Sequence, residues 1–181
     1  FENCFQMNGF FQTYEDIFET IEDAILKDRI IPSLILFFSA IDSFSALASL
    51  KGRSDRSTFK EWVKKWMIDR SPLPCDEMDI YSARCALLHQ QISKSDLTIG
   101  GKAKEILYAW GSKKAETLQV LINNKGRADD TVAVKIEDLI GAFKKGMICC
   151  YNEIQEDSEK FNIFKEEAKK MFVLVKPPLQ Q

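Results

Sequence analysis

From Ile30 to Leu50 the chain is apolar on nearly every face that a helix would present. A helix that is apolar all round needs burial on all sides, which places it at the centre of a bundle or in a bilayer. Pro32, Asp42 and five serines interrupt the run, so the bundle is the expectation and no membrane span is expected. Pro32 suits a first helical turn, which sets this helix at about Pro32 to Leu50, with Gly52 ending it.

A central helix requires amphipathic neighbours, and the chain supplies them. Thr13 is the expected cap of a helix to about Lys27, with Ile17, Phe18, Ile21, Ala24 and Ile25 on one stripe. Ser57 or Thr58 opens another, in which Phe59, Trp62, Val63, Trp66 and Met67 recur at helical spacing while Lys60, Lys64 and Lys65 fall outside the stripe. Ser71 to Pro74 is a break. Asp76 then caps a helix through Ile80, Tyr81, Ala83, Arg84, Leu87 and Leu88. Two more helices are expected at about Ile136–Glu156 and Ser158–Phe172, before Pro177 and Pro178 close the chain.

Between them the pattern changes. Gly100 and Gly101 mark a turn, and Glu105–Trp110, Glu116–Ile122 and Thr131–Val134 read as strands, with Asn123 to Gly126 as the turn between the last two. The expected fold is therefore mainly α: a helical bundle with a small antiparallel β-hairpin or sheet inserted at about residues 100–135. At 181 residues the chain suits one domain spanning 1–181.

Composition narrows the function classes. The five cysteines (Cys4, Cys75, Cys85, Cys149, Cys150) are odd in number and lack CxxC spacing, and His89 is the sole histidine. A zinc site is not expected, nor a disulfide framework, and a reducing cytoplasm fits best. The N-terminal residues lack the basic lead of a signal peptide and carry Glu2. The net charge of −2 hides an asymmetry: residues 1–50 hold two basic and eight acidic side chains, residues 51–70 seven and three. That basic stretch could meet a polyanion, although the solvated side of a helix is the simpler reading. Trp62 and Trp66, at helical spacing, read as core rather than as base-stacking platforms.

The chain has no phosphate-binding Walker loop, no GxGxxG, no GxSxG and no HExxH. What remains is Arg84-Cys85-Ala86-Leu87-Leu88-His89. Five positions correspond to about 140° of rotation and about 7.5 Å of rise, so the two side chains share a site only if the helix ends near Leu88 and His89 turns inward. RNA carries its own nucleophile, the 2′-OH. A histidine can move the protons, and an arginine can hold two phosphate oxygens and offset developing charge. No metal or other cofactor is required. Asp42, in an otherwise apolar helix, needs a cation or donor, and Arg84 is the preferred partner. Tyr81, one turn before Arg84, could line the cleft or only pack.

An arginine, four residues and a histidine at a helix end, with an acid on an earlier helix, resembles the HEPN superfamily over about residues 30–90. The resemblance implies a HEPN-like bundle and RNase activity of the kind found in toxin–antitoxin, abortive-infection and CRISPR-associated defence systems. It makes Arg84 and His89 catalytic, matches Asp42 to the acidic position, and implies a homodimer whose two Arg–His motifs face each other. The partners would be an RNA substrate and possibly an antitoxin or regulatory protein, with no membrane. The residue after the arginine is often Asn, Asp or His in this family, whereas here it is Cys85. One toxin branch has a partner-modified tyrosine that follows its histidine after one intervening residue; here that position is Gln91, so that regulation is not carried over. The alternative is a non-catalytic HEPN-like module binding a protein or nucleic acid, with Arg84 and His89 packed away from solvent. A nucleotide or small-molecule sensor is a third reading.

Overall fold

The computed structural model describes residues 2–50 and 55–170. Gly52, Phe172, Pro177 and Pro178 lie outside the described residues, and the last helix ends at Ala168, short of the expected Phe172. Helix α1 spans Glu2–Leu26 and α2 spans Ile30–Ala48. Thr13 does not cap α1: it lies inside it, and its hydroxyl donates to the Gly9 carbonyl at 2.9 Å, the back-bond that threonine makes when it is mid-helix. Pro32 sits in the first turn of α2 as expected.

Helix α2 is the hub. It packs against α1, against α3 (Arg56–Trp66) and α4 (Glu77–Gln90), and against α7 (Ile136–Gln155) and α8 (Ser158–Ala168). Contrary to expectation, its length and composition do suffice to cross a bilayer, because Asp42 is its single charge; in this fold half of that span is buried. Phe44 of α2 meets Trp62 of α3 edge-on at 5.4 Å, Phe143 of α7 at 6.3 Å and Phe164 of α8 at 6.4 Å. Edge-to-face pairs at these separations add to area burial by about 0.5–1.5 kcal/mol each. Trp62 and Trp66 are thus core residues, and the Trp62 indole N–H points at Cys150 Sγ at 3.4 Å.

Helix α3 begins at Arg56, ahead of the expected Ser57 or Thr58, because Asp55 caps it by accepting the Thr58 N–H at 2.8 Å. A short 3₁₀ turn, Ile68–Arg70, leads to the Ser71–Pro74 break. At Asp76 the capping box is complete: Asp76 Oδ1 accepts the Met78 and Asp79 N–H groups, and Asp79 Oδ2 accepts the Asp76 N–H. Helix α5 is a single turn, Asp96–Ile99.

The inserted region differs from the expected antiparallel hairpin. Strands β1 (Glu105–Ala109) and β2 (Thr131–Lys135) are parallel, in register from Glu105 opposite Thr131 to Ala109 opposite Lys135. Parallel strands need a crossover, and α6 (Ala115–Asn124) provides it where a strand was expected at Glu116–Ile122. The side chains that α6 turns inward are Ala115, Leu118, Gln119 and Ile122, spaced as on a helix face, while Val120 and Leu121 are exposed. Gln119 also accepts the Ala133 N–H of β2 at 2.9 Å. Asn123 to Gly126 closes this helix, with Gly126 at φ +66°, rather than turning a hairpin.

Gly146 shows how tightly α7 is docked. A Cβ there would lie 2.7 Å from the Trp66 carbonyl oxygen and 3.3 Å from the Trp62 ring. Backbone at that distance cannot yield locally. Replacing Gly146 with Ala is expected to destabilise the fold by about 1–3 kcal/mol in urea unfolding, despite alanine's better helix propensity. An unchanged or raised midpoint would contradict this packing.

Candidate active site

Helix α4 carries the site, and three sets of contacts fix it. At its start, Asp79 Oδ1 accepts the Lys104 N–H at 2.6 Å, tying the helix to the segment that enters β1. This carboxylate is nearly buried, and burial raises its pKa even though the Lys104 and Asp76 N–H groups favour its charged form. In its middle, the buried Ser82 hydroxyl bonds to Ser95 at 2.6 Å and to Thr98 at 2.8 Å, clamping α5 alongside. At its end, Gln91 takes a left-handed conformation (φ 53°), and the Gln91 and Ile92 N–H groups reach back to the Leu87 and Ala86 carbonyls.

Asp42 and Arg84 meet, α2 against α4. Arg84 Nε and Nη2 both donate to Asp42 Oδ2, at 2.7 and 2.5 Å. Each side chain is 20% exposed, so the pair sits between a surface ion pair and a buried one. Burial works against the arginine's charge, but the Asp42 bonds and charge outweigh it and raise the Arg84 pKa further above its ordinary value.

His89 also reaches Arg84. Its Nε2 lies 3.0 Å from Arg84 Nη1. The helix continues through Gln90, so the condition of an end near Leu88 is not met, and the length of the arginine side chain closes the angular gap between the two positions instead. Arginine can only donate, so Nε2 is the accepting atom of this contact. His89 is exposed.

Beside His89 lies a cleft of about 320 Å³ between α4, the start of α3 and the start of α5. Tyr81, Cys85, Ala86 and His89 form its α4 wall, at the spacing of one helix face. Of the two readings open for Tyr81, both hold: it lines the cleft, and it packs edge-on against Phe59 at 5.6 Å. Its phenol pKa is raised, first by burial and then by the Cys85 thiol beside it. Arg84 is not among the lining residues. It meets His89 from the α2 side, with Nη1 also 3.9 Å from Cys85 Sγ. Sequence reasoning missed Arg56, whose guanidinium lies 5.5 Å from the Tyr81 ring centroid in this cleft. The excess of basic residues at 51–70 was the available signal, but it did not single out one residue.

Among the described residues no group of three or more histidine, cysteine, aspartate or glutamate side chains is placed to hold a metal ion. Comparison with protein-family models, curated proteins and solved structures yields no match. The functional reading therefore rests on this geometry and on its chemistry.

The Asp42–Arg84 pair has a measurable consequence. Asp42→Ala leaves a half-buried guanidinium with no carboxylate and is expected to cost roughly 1–3 kcal/mol of stability. Asp42→Asn keeps one acceptor oxygen and is expected to cost less. Equal stability of wild type and the alanine variant in denaturant titration would show that the pair carries no weight.

Proposed function

We propose that the chain is a metal-independent endoribonuclease of HEPN type. The observation that carries this reading is an exposed histidine in contact with an arginine that a carboxylate holds in place. His89 is the general base and acid, Arg84 holds the scissile phosphate, and Asp42 is the positioning residue that orients Arg84. Tyr81 forms part of the wall against which substrate lies.

The chemistry follows from the groups present. The substrate 2′-OH displaces Arg84 Nη1 from His89 Nε2 and gives that nitrogen its proton, the 2′-oxygen attacks phosphorus, and the bond from phosphorus to the 5′-oxygen breaks. The products are a 2′,3′-cyclic phosphate and a 5′-OH, the latter carrying a proton delivered by an imidazolium. As His89 gains its proton it can no longer accept from Arg84, so Nη1 turns to the phosphorane as negative charge builds there. Four of the five guanidinium N–H groups have partners in the resting site, and the remaining Nη2 N–H is available to a phosphate oxygen. A single histidine is poorly placed to serve both faces of the phosphorane. A homodimer, in which a second copy brings its own His89, resolves this and matches what the HEPN resemblance implies. A cytoplasmic toxin or antiviral-defence effector, restrained by an antitoxin or regulatory protein, is the setting this activity suits.

A second reading has an observation in its favour. Arg84 is so fully engaged by Asp42 that the pair alone would justify its presence as structural glue in a non-catalytic module that binds a protein or nucleic acid. The two readings part in a simple assay. Cleavage of single-stranded RNA is expected in the presence of EDTA, with DNA left intact, and His89→Ala is expected to lower kcat by at least 10²-fold while its unfolding curve stays that of the wild type. Cleavage that survives this substitution, or that needs added magnesium, would overturn the nuclease mechanism.

A further inference from the structure

We infer that Arg56 is a second substrate-binding residue of the cleft, gripping a phosphate beyond the scissile one, so that the substrate is an RNA strand that continues past the cut along α4 towards α3. This rests on the nuclease reading and deepens it. Three observations carry it: the place of Arg56 on the cleft wall, its lack of an anionic partner, and the charge balance of the cleft.

Arg56 opens α3, next to the capping Asp55, and lines the same cleft as His89. Its contacts are weak ones for a guanidinium: Nη2 lies 3.6 Å from Met78 Sδ, and the group faces the Tyr81 ring at 5.5 Å. Among the described residues no carboxylate lies within ion-pair distance of it. An exposed arginine held over an aromatic ring, with most of its N–H donors unspent, is oriented to receive a planar or tetrahedral anion.

Charge balance makes that anion a phosphate of the substrate. Arg84 is neutralised by Asp42. Asp96, on the opposite wall, contributes one negative charge to the cleft. Without Arg56 the cleft would be net negative when His89 is neutral, and it would repel the polyanion it is meant to bind. With Arg56 the balance becomes neutral, and it becomes positive once His89 takes a proton.

Placement then sets the length of substrate. Arg56 stacks at position 81 of α4, and His89 stands eight residues on, about 12 Å of helix rise. The cleft thus extends well beyond the reach of one phosphate. A strand can occupy both ends at once, whereas a mononucleotide or a dinucleotide cut at its only phosphate cannot use Arg56 while it reacts at His89.

The test uses the full chain and a fluorescently labelled single-stranded RNA oligonucleotide of mixed sequence. Binding is measured by anisotropy across a range of salt in the His89→Ala background, so that the probe stays intact. Adding Arg56→Met, which keeps the aliphatic cover over Tyr81, is expected to weaken binding about tenfold and to lower the slope of log K against log salt by about 0.7, the value for one phosphate contact on a single strand. Arg56→Lys is expected to recover most of that slope. With His89 intact, Arg56→Met is expected to raise KM for the oligonucleotide about tenfold and to change kcat less than threefold.

An unchanged salt slope in Arg56→Met, while the wild type still cleaves RNA, would overturn the Arg56 site and leave the nuclease reading standing. Slope loss in a chain that never cleaves would keep the Arg56 site and sink the chemistry. No RNA binding by either form would overturn the Arg56 site directly. A fall in thermal stability with the slope unchanged would show that Arg56 only packs on Tyr81.

Discussion

The carboxylate of Asp42 is the constraint from which the site follows. It sits in the one helix that every other long helix packs around, where an unpaired charge would cost several kcal/mol. Its compensation has to come from a neighbouring helix, and Arg84 of α4 provides it through two hydrogen bonds to one oxygen. That pairing fixes the azimuth of α4 against α2. It also stops the guanidinium from sampling solvent, so the remaining nitrogen, Nη1, is aimed at His89 before any substrate arrives. Under the proposed mechanism, an arginine held in this way would lose little further freedom on meeting a phosphate, which is where preorganised electrostatics gains its advantage.

The rest of the fold serves to hold α4. Its ends and middle are secured by three chemically different devices: a capping box shared with the approach to β1, a buried serine–threonine cluster to α5, and a left-handed residue at the C-terminus. The buried serine cluster matters most to the cleft, because it sets the distance between the α4 wall and the α5 wall. The parallel β1–β2 pair with its crossover helix braces the side of α4 away from α3 and leads straight into α7, whose Phe143 returns to the central aromatic cluster. Helix α4 thus packs against α2, α3, α5 and β1, with His89 left exposed.

How much of this could be read in the sequence depended on whether local pattern or tertiary pairing decided the element. Helices α2, α3, α4 and α7 announce themselves through long apolar stripes and through caps such as Asp76, and the Asp42–Arg84 pair follows from the cost of an isolated carboxylate. Helix α6 does not. Its ten residues are short, and Val120 and Leu121 blur the helical face, so apolar content alone suggests a strand. Once α6 is misread, the sheet is misread too, because it is the crossover that allows β1 and β2 to run parallel. Thr13 misleads for a different reason: a threonine that bonds its own helix backbone looks, in sequence, like one that caps the next. Arg56 was hidden because α3 has four basic residues, and only the packing of α3 on α4 shows that one of them overlooks Tyr81.

The central claim is that this site cleaves RNA by using the substrate's own 2′-OH, with His89 and Arg84 in place of a metal. The most direct test is a chimeric oligonucleotide that is RNA throughout except for one 2′-deoxy nucleotide at the mapped cut site. The account predicts that cleavage at that position disappears while flanking cuts persist, and that products of the all-RNA control end in 2′,3′-cyclic phosphate. Undiminished cleavage after the 2′-deoxy nucleotide, or products bearing a 5′-phosphate, would contradict it.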